Sequence, residues 1–172
     1  DYYDLPTPER SGYEFLGWFT AAEGGERVTS ETVVTGDMTL YAHWGKSNDD
    51  FADAREITGM AGTLTASNVG MTSEEGEGNY HSSTATLWFS WTAPANGNNT
   101  IDTFGSNFDT MLGAYMGTGI NNLTQIAFND DSDGSVQSRV SFDVECGVTY
   151  FIMAGGYSSD TGDIILNWDL LS

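Results

Sequence analysis

Carboxylates dominate the chemistry this sequence could perform, and they are unevenly spread. Asn48-Asp49-Asp50 heads one stretch, Glu74-Glu75-Gly76-Glu77 follows, and Asp109 and Asn129-Asp130-Asp131-Ser132-Asp133 come later. Over the chain, 25 Asp and Glu stand against five Lys and Arg, a formal net charge of −20. Carboxylates gathered by a fold repel one another unless a cation or a proton intervenes. Lys46 and Arg55 are the basic residues near the first group in sequence. Short runs of hard oxygen donors suit Ca²⁺, which takes about six to eight oxygens from carboxylates, amides and backbone carbonyls. Calcium is therefore the expected cofactor, with Asn48, Asp49, Asp50, Glu74, Glu77, Asp109, Asp130 and Asp131 as candidate ligands. Gly76 lets the backbone bend before Glu77. The Asn129–Asp133 run fits a ligand loop and a plain turn equally well, because Asp and Asn form turns by themselves. It is not an EF-hand, since the twelfth position from Asp131 is Phe142 rather than Glu.

Other chemistries find less material. A surface this negative repels phosphate backbones and anionic lipid headgroups, which argues against nucleic-acid and membrane partners. The chain has two histidines: His43, between aromatics, reads as a packed residue, and His81 as part of a polar loop. No Gly-x-Ser-x-Gly elbow, His-Glu-x-x-His or phosphate loop occurs. A carboxylate pair for glycoside hydrolysis carries no weight where acids are so abundant. The expectation is a non-catalytic chain. Cys146 is the single cysteine, so neither an intramolecular disulfide nor a thiolate metal site is available. Tyr80, Trp88, Tyr115, Tyr157 and Trp168 are candidates for stacking on sugar faces, which would make the chain a carbohydrate-binding module.

The elements that must position these residues read as strands. Leu87, Phe89 and Trp91 alternate with Trp88, Ser90 and Thr92; Val140, Phe142 and Val144 alternate with Ser141, Asp143 and Glu145. Tyr150–Ala154 and Ile164–Leu170 repeat the pattern, and Thr100–Phe104 and Met111–Met116 look like two more strands. Period-two alternation between turn residues, with 21 glycines interrupting every apolar stretch, predicts an all-β antiparallel sandwich. One helical turn is expected within Asn48–Ile57, capped by Asn48 or Asp49. No run of about 18 apolar residues occurs that would span a bilayer. Composition changes at Gly45-Lys46-Ser47, dividing residues 1–46 from 47–172. The first unit concentrates Tyr13, Phe15, Trp18, Phe19, Tyr41 and Trp44, enough aromatic area for a mini-core.

Two resemblances follow from these motifs. Leu5-Pro6 through Gly12-Tyr13, Gly17-Trp18 and Leu40-Tyr41-Ala42-His43-Trp44 fall in the order of the Listeria–Bacteroides repeat, the B-repeat of internalin-type surface proteins. That resemblance implies a small β-grasp-like unit on a cell-surface or secreted protein, here in part. Residues 48–168, through Leu87-Trp88-Phe89-Ser90-Trp91, Phe108-Asp109-Thr110-Met111-Leu112, Asn129-Asp130-Asp131 and Gly147-Val148-Thr149-Tyr150, resemble the bacterial pre-peptidase C-terminal domain family. That family implies a jelly-roll-like, non-catalytic sandwich appended to exported proteins, with collagen-binding domains as distant relatives. It also implies calcium held by the N-terminal Asn/Asp segment, so that Asn48, Asp49 and Asp50 converge with Glu74 and Glu77. Together the expectations are an extracellular or cell-surface accessory or adhesion module, covalently linked to neighbouring domains. Its partner would be a polysaccharide or an extracellular protein such as a collagen-like matrix protein.

Overall fold

The structure is a computed structural model and describes residues 5–10, 13–29, 32–33, 36–77 and 83–172. The chain divides into two compact units, residues 1–47 and 48–172.

In the first unit, β1 (Tyr13–Phe19) pairs antiparallel with β2 (Tyr41–Lys46), setting Phe15 opposite Trp44 and Phe19 opposite Tyr41. The register shifts between Phe15 and Gly17, and Gly17 takes φ +124°, a conformation L side chains rarely adopt. The expected aromatic cluster is present: the Phe15 ring lies 5.5 Å from Trp44 and 5.6 Å from Trp18. The Trp18 indole N–H donates to the Pro6 carbonyl at 2.9 Å. The His43 ring stacks on Phe19 at 3.9 Å, and its Nε2 lies 2.8 Å from the Ala21 carbonyl.

The second unit is the sandwich that the alternating runs predict. Its strands are β3 (Arg55–Ile57), β4 (Ala61–Ser67), β5 (Thr86–Thr92), β6 (Gly97–Asp102), β7 (Thr110–Met116), β8 (Thr124–Asn129), β9 (Arg139–Val144), β10 (Thr149–Gly156) and β11 (Asp163–Leu171). One sheet runs β3-β5-β10-β7-β8 and the other β4-β11-β6-β9; all pairs are antiparallel except β3 with β5. Leu87, Phe89, Trp91, Leu112 and Ile152 from the first sheet meet Ile101, Val140, Phe142, Ile164 and Leu166 from the second in one buried core.

The five-stranded sheet is also covered on its other face. Trp88, Tyr115 and Met153 form a second buried cluster there, under Phe51, Ala54, Ile120, Leu123, Phe128 and Phe151. Consequently β5 is buried on both faces, with Trp88 as inaccessible as its neighbours Leu87 and Phe89. The turn expected within Asn48–Ile57 is reduced to a single 3-10 turn, Phe51–Asp53, with Asp50 in the capping position and no side-chain cap. Asn48 and Asp49 do not cap it because both are held elsewhere: Asn48 by the Trp88 backbone and Asp49 by Thr72. Arg55–Ile57 is drawn instead into strand pairing with Phe89–Trp91.

Candidate metal centre

Two connections at one end of the sandwich bring the later acidic residues together. Asp109 ends the β6–β7 connection, and Asp130 and Asp131 open the β8–β9 connection. A carboxylate oxygen from each of the three lies within 4.8 Å of the others, the one such acidic trio among the described residues. Asp131 is exposed, while Asp109 and Asp130 are partly buried.

The base of this cluster is a set of fully buried hydroxyls, Thr103, Thr110 and Ser138. Thr103 and Thr110 share a hydrogen bond of 2.6 Å, and the Ser138 N–H donates to the Thr103 hydroxyl at 2.9 Å. The Ser138 hydroxyl points at two carbonyls, Thr110 at 2.6 Å and Asp130 at 2.5 Å. It therefore ties the backbone next to Asp109 to the backbone of Asp130. Gln137 adds two bonds, donating to the Ser106 and Phe108 carbonyls at 3.2 and 3.3 Å. From the β10–β11 connection, the Tyr157 N–H donates to the Asp109 carbonyl at 3.0 Å. The carboxylates thus sit on backbone held from several sides, which reduces the ordering an ion would have to impose.

Electrostatics make the cluster unusual. Asp109 Oδ1 is buried without a hydrogen-bond partner among the described residues. Burial raises the Asp109 carboxyl above its ordinary value, and the charges of Asp130, Asp131 and Asp160 raise it further. The neighbouring cation, Arg139, is directed at Asp133, with 2.6 Å between Nη1 and Oδ2. Three converging carboxylates suit a hard cation, whose remaining positions carbonyls or water would fill.

The earlier acidic group is arranged differently. Asp49 is buried and accepts the Thr72 N–H at 2.7 Å and the Thr72 hydroxyl at 3.1 Å. Glu77 is buried too, accepting the Trp88 indole N–H at 2.7 Å and facing the Thr86 hydroxyl at 2.8 and 2.9 Å. Glu74 accepts the Phe51 N–H at 2.9 Å, and the Asn48 amide donates to the Trp88 carbonyl at 2.8 Å. Asp50 is exposed. Burial raises both Asp49 and Glu77 above the usual carboxylate range, the donors of Thr72 and of Trp88 and Thr86 opposing the shift. Asp49 and Glu74 therefore fasten the 48–51 and 72–77 segments to each other, and Asn48 and Glu77 fasten them to β5.

The expected aromatic platform does not survive at three of its positions. Trp88, Tyr115 and Trp168 are buried, Trp88 and Tyr115 in the second cluster and Trp168 in the main core, so none can stack on a ligand from solvent. For Trp88 and Tyr115 the reason is the cover over the outer face of the five-stranded sheet, which alternation alone does not reveal. Trp168 is buried because it shares the inward face of β11 with Ile164 and Leu166. Tyr157 is exposed. Tyr80 and His81 lie outside the described residues. The buried hydroxyls, conversely, escaped the sequence reading, since three small residues scattered along the chain leave no local signal.

Residues 1–43 match the Listeria-Bacteroides repeat domain family. The matched segment contains β1 and the first half of β2. No curated protein matches the chain. Among solved structures, the chain is similar to the pre-peptidase C-terminal domain of a collagenase from Bacillus anthracis, at 15% identity and TM-score 0.45. That match covers 67% of this chain and 94% of the other. It is also similar to PliG, a periplasmic inhibitor of g-type lysozyme from Aeromonas hydrophila, at 12% identity and TM-score 0.45, covering 69% of this chain and 97% of that one. The first resemblance drawn from the sequence is thus met again, as a family match over the repeat.

Proposed function

We propose that this chain is a non-catalytic accessory segment of an exported protein, in which a surface-protein repeat is followed by a β-sandwich that binds calcium at its Asp109–Asp130–Asp131 end. The convergence of three carboxylates within 4.8 Å supports the calcium reading. The match of residues 1–43 to the repeat family supports the extracellular setting. Calcium is favoured over a smaller cation because the donors are carboxylates on loops, and Ca²⁺ accepts irregular all-oxygen shells. Of the two acidic groups, the later one is the better candidate. Asp49 and Glu77 already have protein donors, whereas Asp109 presents a buried oxygen without one among the described residues.

The module reading also draws on His43, whose imidazole is engaged, among the described residues, by Phe19 and the Ala21 carbonyl. The test is thermal unfolding of the chain with excess Ca²⁺ and with chelator. A ligand bound only by the native state stabilises by about 2.7 kcal/mol at a hundredfold excess over Kd. A rise of several degrees that vanishes in Asp109→Asn supports the site, and an unchanged midpoint overturns it.

A further inference from the structure

The sandwich has four sheet edges, and three of them carry devices that discourage pairing with another strand. β3 is three residues long and begins Arg55-Glu56. β8 is bound to β7 through a register shift at Ala114/Tyr115. β9 bears Arg139 and Asp143. Short length, bulges and charges are the usual protections of a sheet edge, which otherwise exposes a row of unpaired N–H and C=O groups.

β4 has none of them. It reads Ala61-Gly62-Thr63-Leu64-Thr65-Ala66-Ser67, seven residues without a charge or a proline, paired to β11 in unbroken register. Thr63, Thr65 and Ser67 are exposed on the outer face, while Leu64 and Ala66 are only partly buried against the core. The strand is also close to self-complementary about Leu64. An antiparallel copy centred there sets Thr63 against Thr65 twice, Gly62 against Ala66 twice, and Leu64 against itself. Thr–Thr pairs are favourable cross-strand neighbours, and the facing Leu64 side chains would complete each other's cover.

We infer that β4 is an association edge for a second copy of this chain, joining two four-stranded sheets into one of eight strands about a two-fold axis through Leu64. Such an interface is isologous and closes on itself. The net charge of −20 opposes association in general, but distance decides its weight here. Asp163 and Asp169 stand on β11, one strand in from the edge. In the pair the two β11 strands would be three spacings apart, about 14 Å at about 4.8 Å per strand. That exceeds the Debye length of about 8 Å at physiological salt, so their repulsion is largely screened.

The experiment is sedimentation equilibrium of the full chain across a concentration series, with reductant present because Cys146 is an exposed thiol. A monomer–dimer equilibrium that tightens as salt rises is expected. T63E/T65E places like charges opposite each other twice and should weaken the dimer at least about tenfold. T63K/T65E places Lys opposite Glu in the same register and should restore it, so loss of association through misfolding is told apart from loss through charge. A chain that stays monomeric throughout, or a dimer indifferent to both variants, overturns the inference.

Discussion

Glu77 and Trp88 form a buried hydrogen bond, the indole N–H reaching Oε1 at 2.7 Å. The same carboxylate faces the Thr86 hydroxyl at 2.8 and 2.9 Å, and that hydroxyl also lies 3.1 Å from the Thr72 carbonyl. One hydroxyl proton cannot serve three acceptors. The Thr72 carbonyl also accepts the Thr86 N–H at 3.1 Å, so the hydroxyl can be given to Glu77 while Oε1 accepts from Trp88. Burial raises the Glu77 carboxyl above its ordinary value, and the Trp88 and Thr86 donors oppose the shift.

Glu77→Gln should be tolerated, because the amide oxygen keeps the acceptor for Trp88 and the amide nitrogen can donate to the Thr86 hydroxyl, whose proton then goes to the Thr72 carbonyl. Its unfolding free energy at neutral pH should stay within about 1 kcal/mol of wild type. Glu77→Ala should cost about 1–3 kcal/mol by leaving a buried indole N–H without an acceptor. Urea denaturation of both variants measures this. A calcium ligand at Glu77 would reverse the ranking in one respect, since Gln would then abolish the calcium-dependent gain.

The strand positions were legible because alternation reports which face of a strand is buried. Leu87/Phe89/Trp91, Val140/Phe142/Val144 and Ile164/Leu166/Trp168 all point into the core as their pattern predicts. β4 and β8 were not anticipated: Ala61–Ser67 is rich in small residues, and Thr124–Asn129 is an edge strand with an irregular partner. Trp88 misled for a different reason. A large residue out of phase with its strand reads as exposed, and only the tertiary cover of Phe51, Tyr115 and Phe151 puts it inside. The acidic residues were visible by type, but which of them meet is a matter of loop closure. Asp109 and Asp130 belong to different connections, separated in sequence by the whole of β7 and β8.

The pH dependence follows from Asp49, Glu77 and Asp109, whose carboxyls burial holds above their unfolded values. Between the ordinary carboxylate range near about 4 and the raised native values, the folded state binds more protons than the unfolded state. Stability must then fall as pH rises through that window. In chelator, the melting midpoint should be higher in mild acid than at neutral pH. Glu77→Gln and Asp109→Asn should flatten the slope, and saturating calcium should do so at Asp109 by replacing the proton. An unaltered slope in both variants would assign the effect to general repulsion among the surface acids.

Asn99 offers a stabilising substitution. It is fully buried in β6, opposite Phe142 and Leu170, and neither its Nδ2 nor its Oδ1 has a hydrogen-bond partner among the described residues. A buried polar group left unpaired costs about 1–3 kcal/mol. Leu has the same branched outline, is somewhat larger, and has no such need. Asn99→Leu should raise the unfolding free energy by roughly that amount in denaturant titration. A loss of stability would show that the amide is not a net cost to the fold, either because an internal water serves it or because the site is too small for Leu.

Gly62 and Trp168 provide the sharpest packing test. They face each other across β4 and β11, and a Cβ on Gly62 would fall 2.6 Å from Cη2 of the indole and closer still to Cζ2. Real carbon contacts do not approach so closely, so Gly62→Ala must displace the ring or bend the edge strand. Either adjustment should cost about 1–3 kcal/mol, as overpacking a filled site does. The two responses differ in spectrum. Displacement of Trp168 toward solvent shifts tryptophan emission to the red, whereas movement of β4 leaves the emission unchanged and speeds amide exchange along Ala61–Ser67. A Gly62→Ala variant as stable as wild type, with neither change, would mean that the indole does not rest on Gly62.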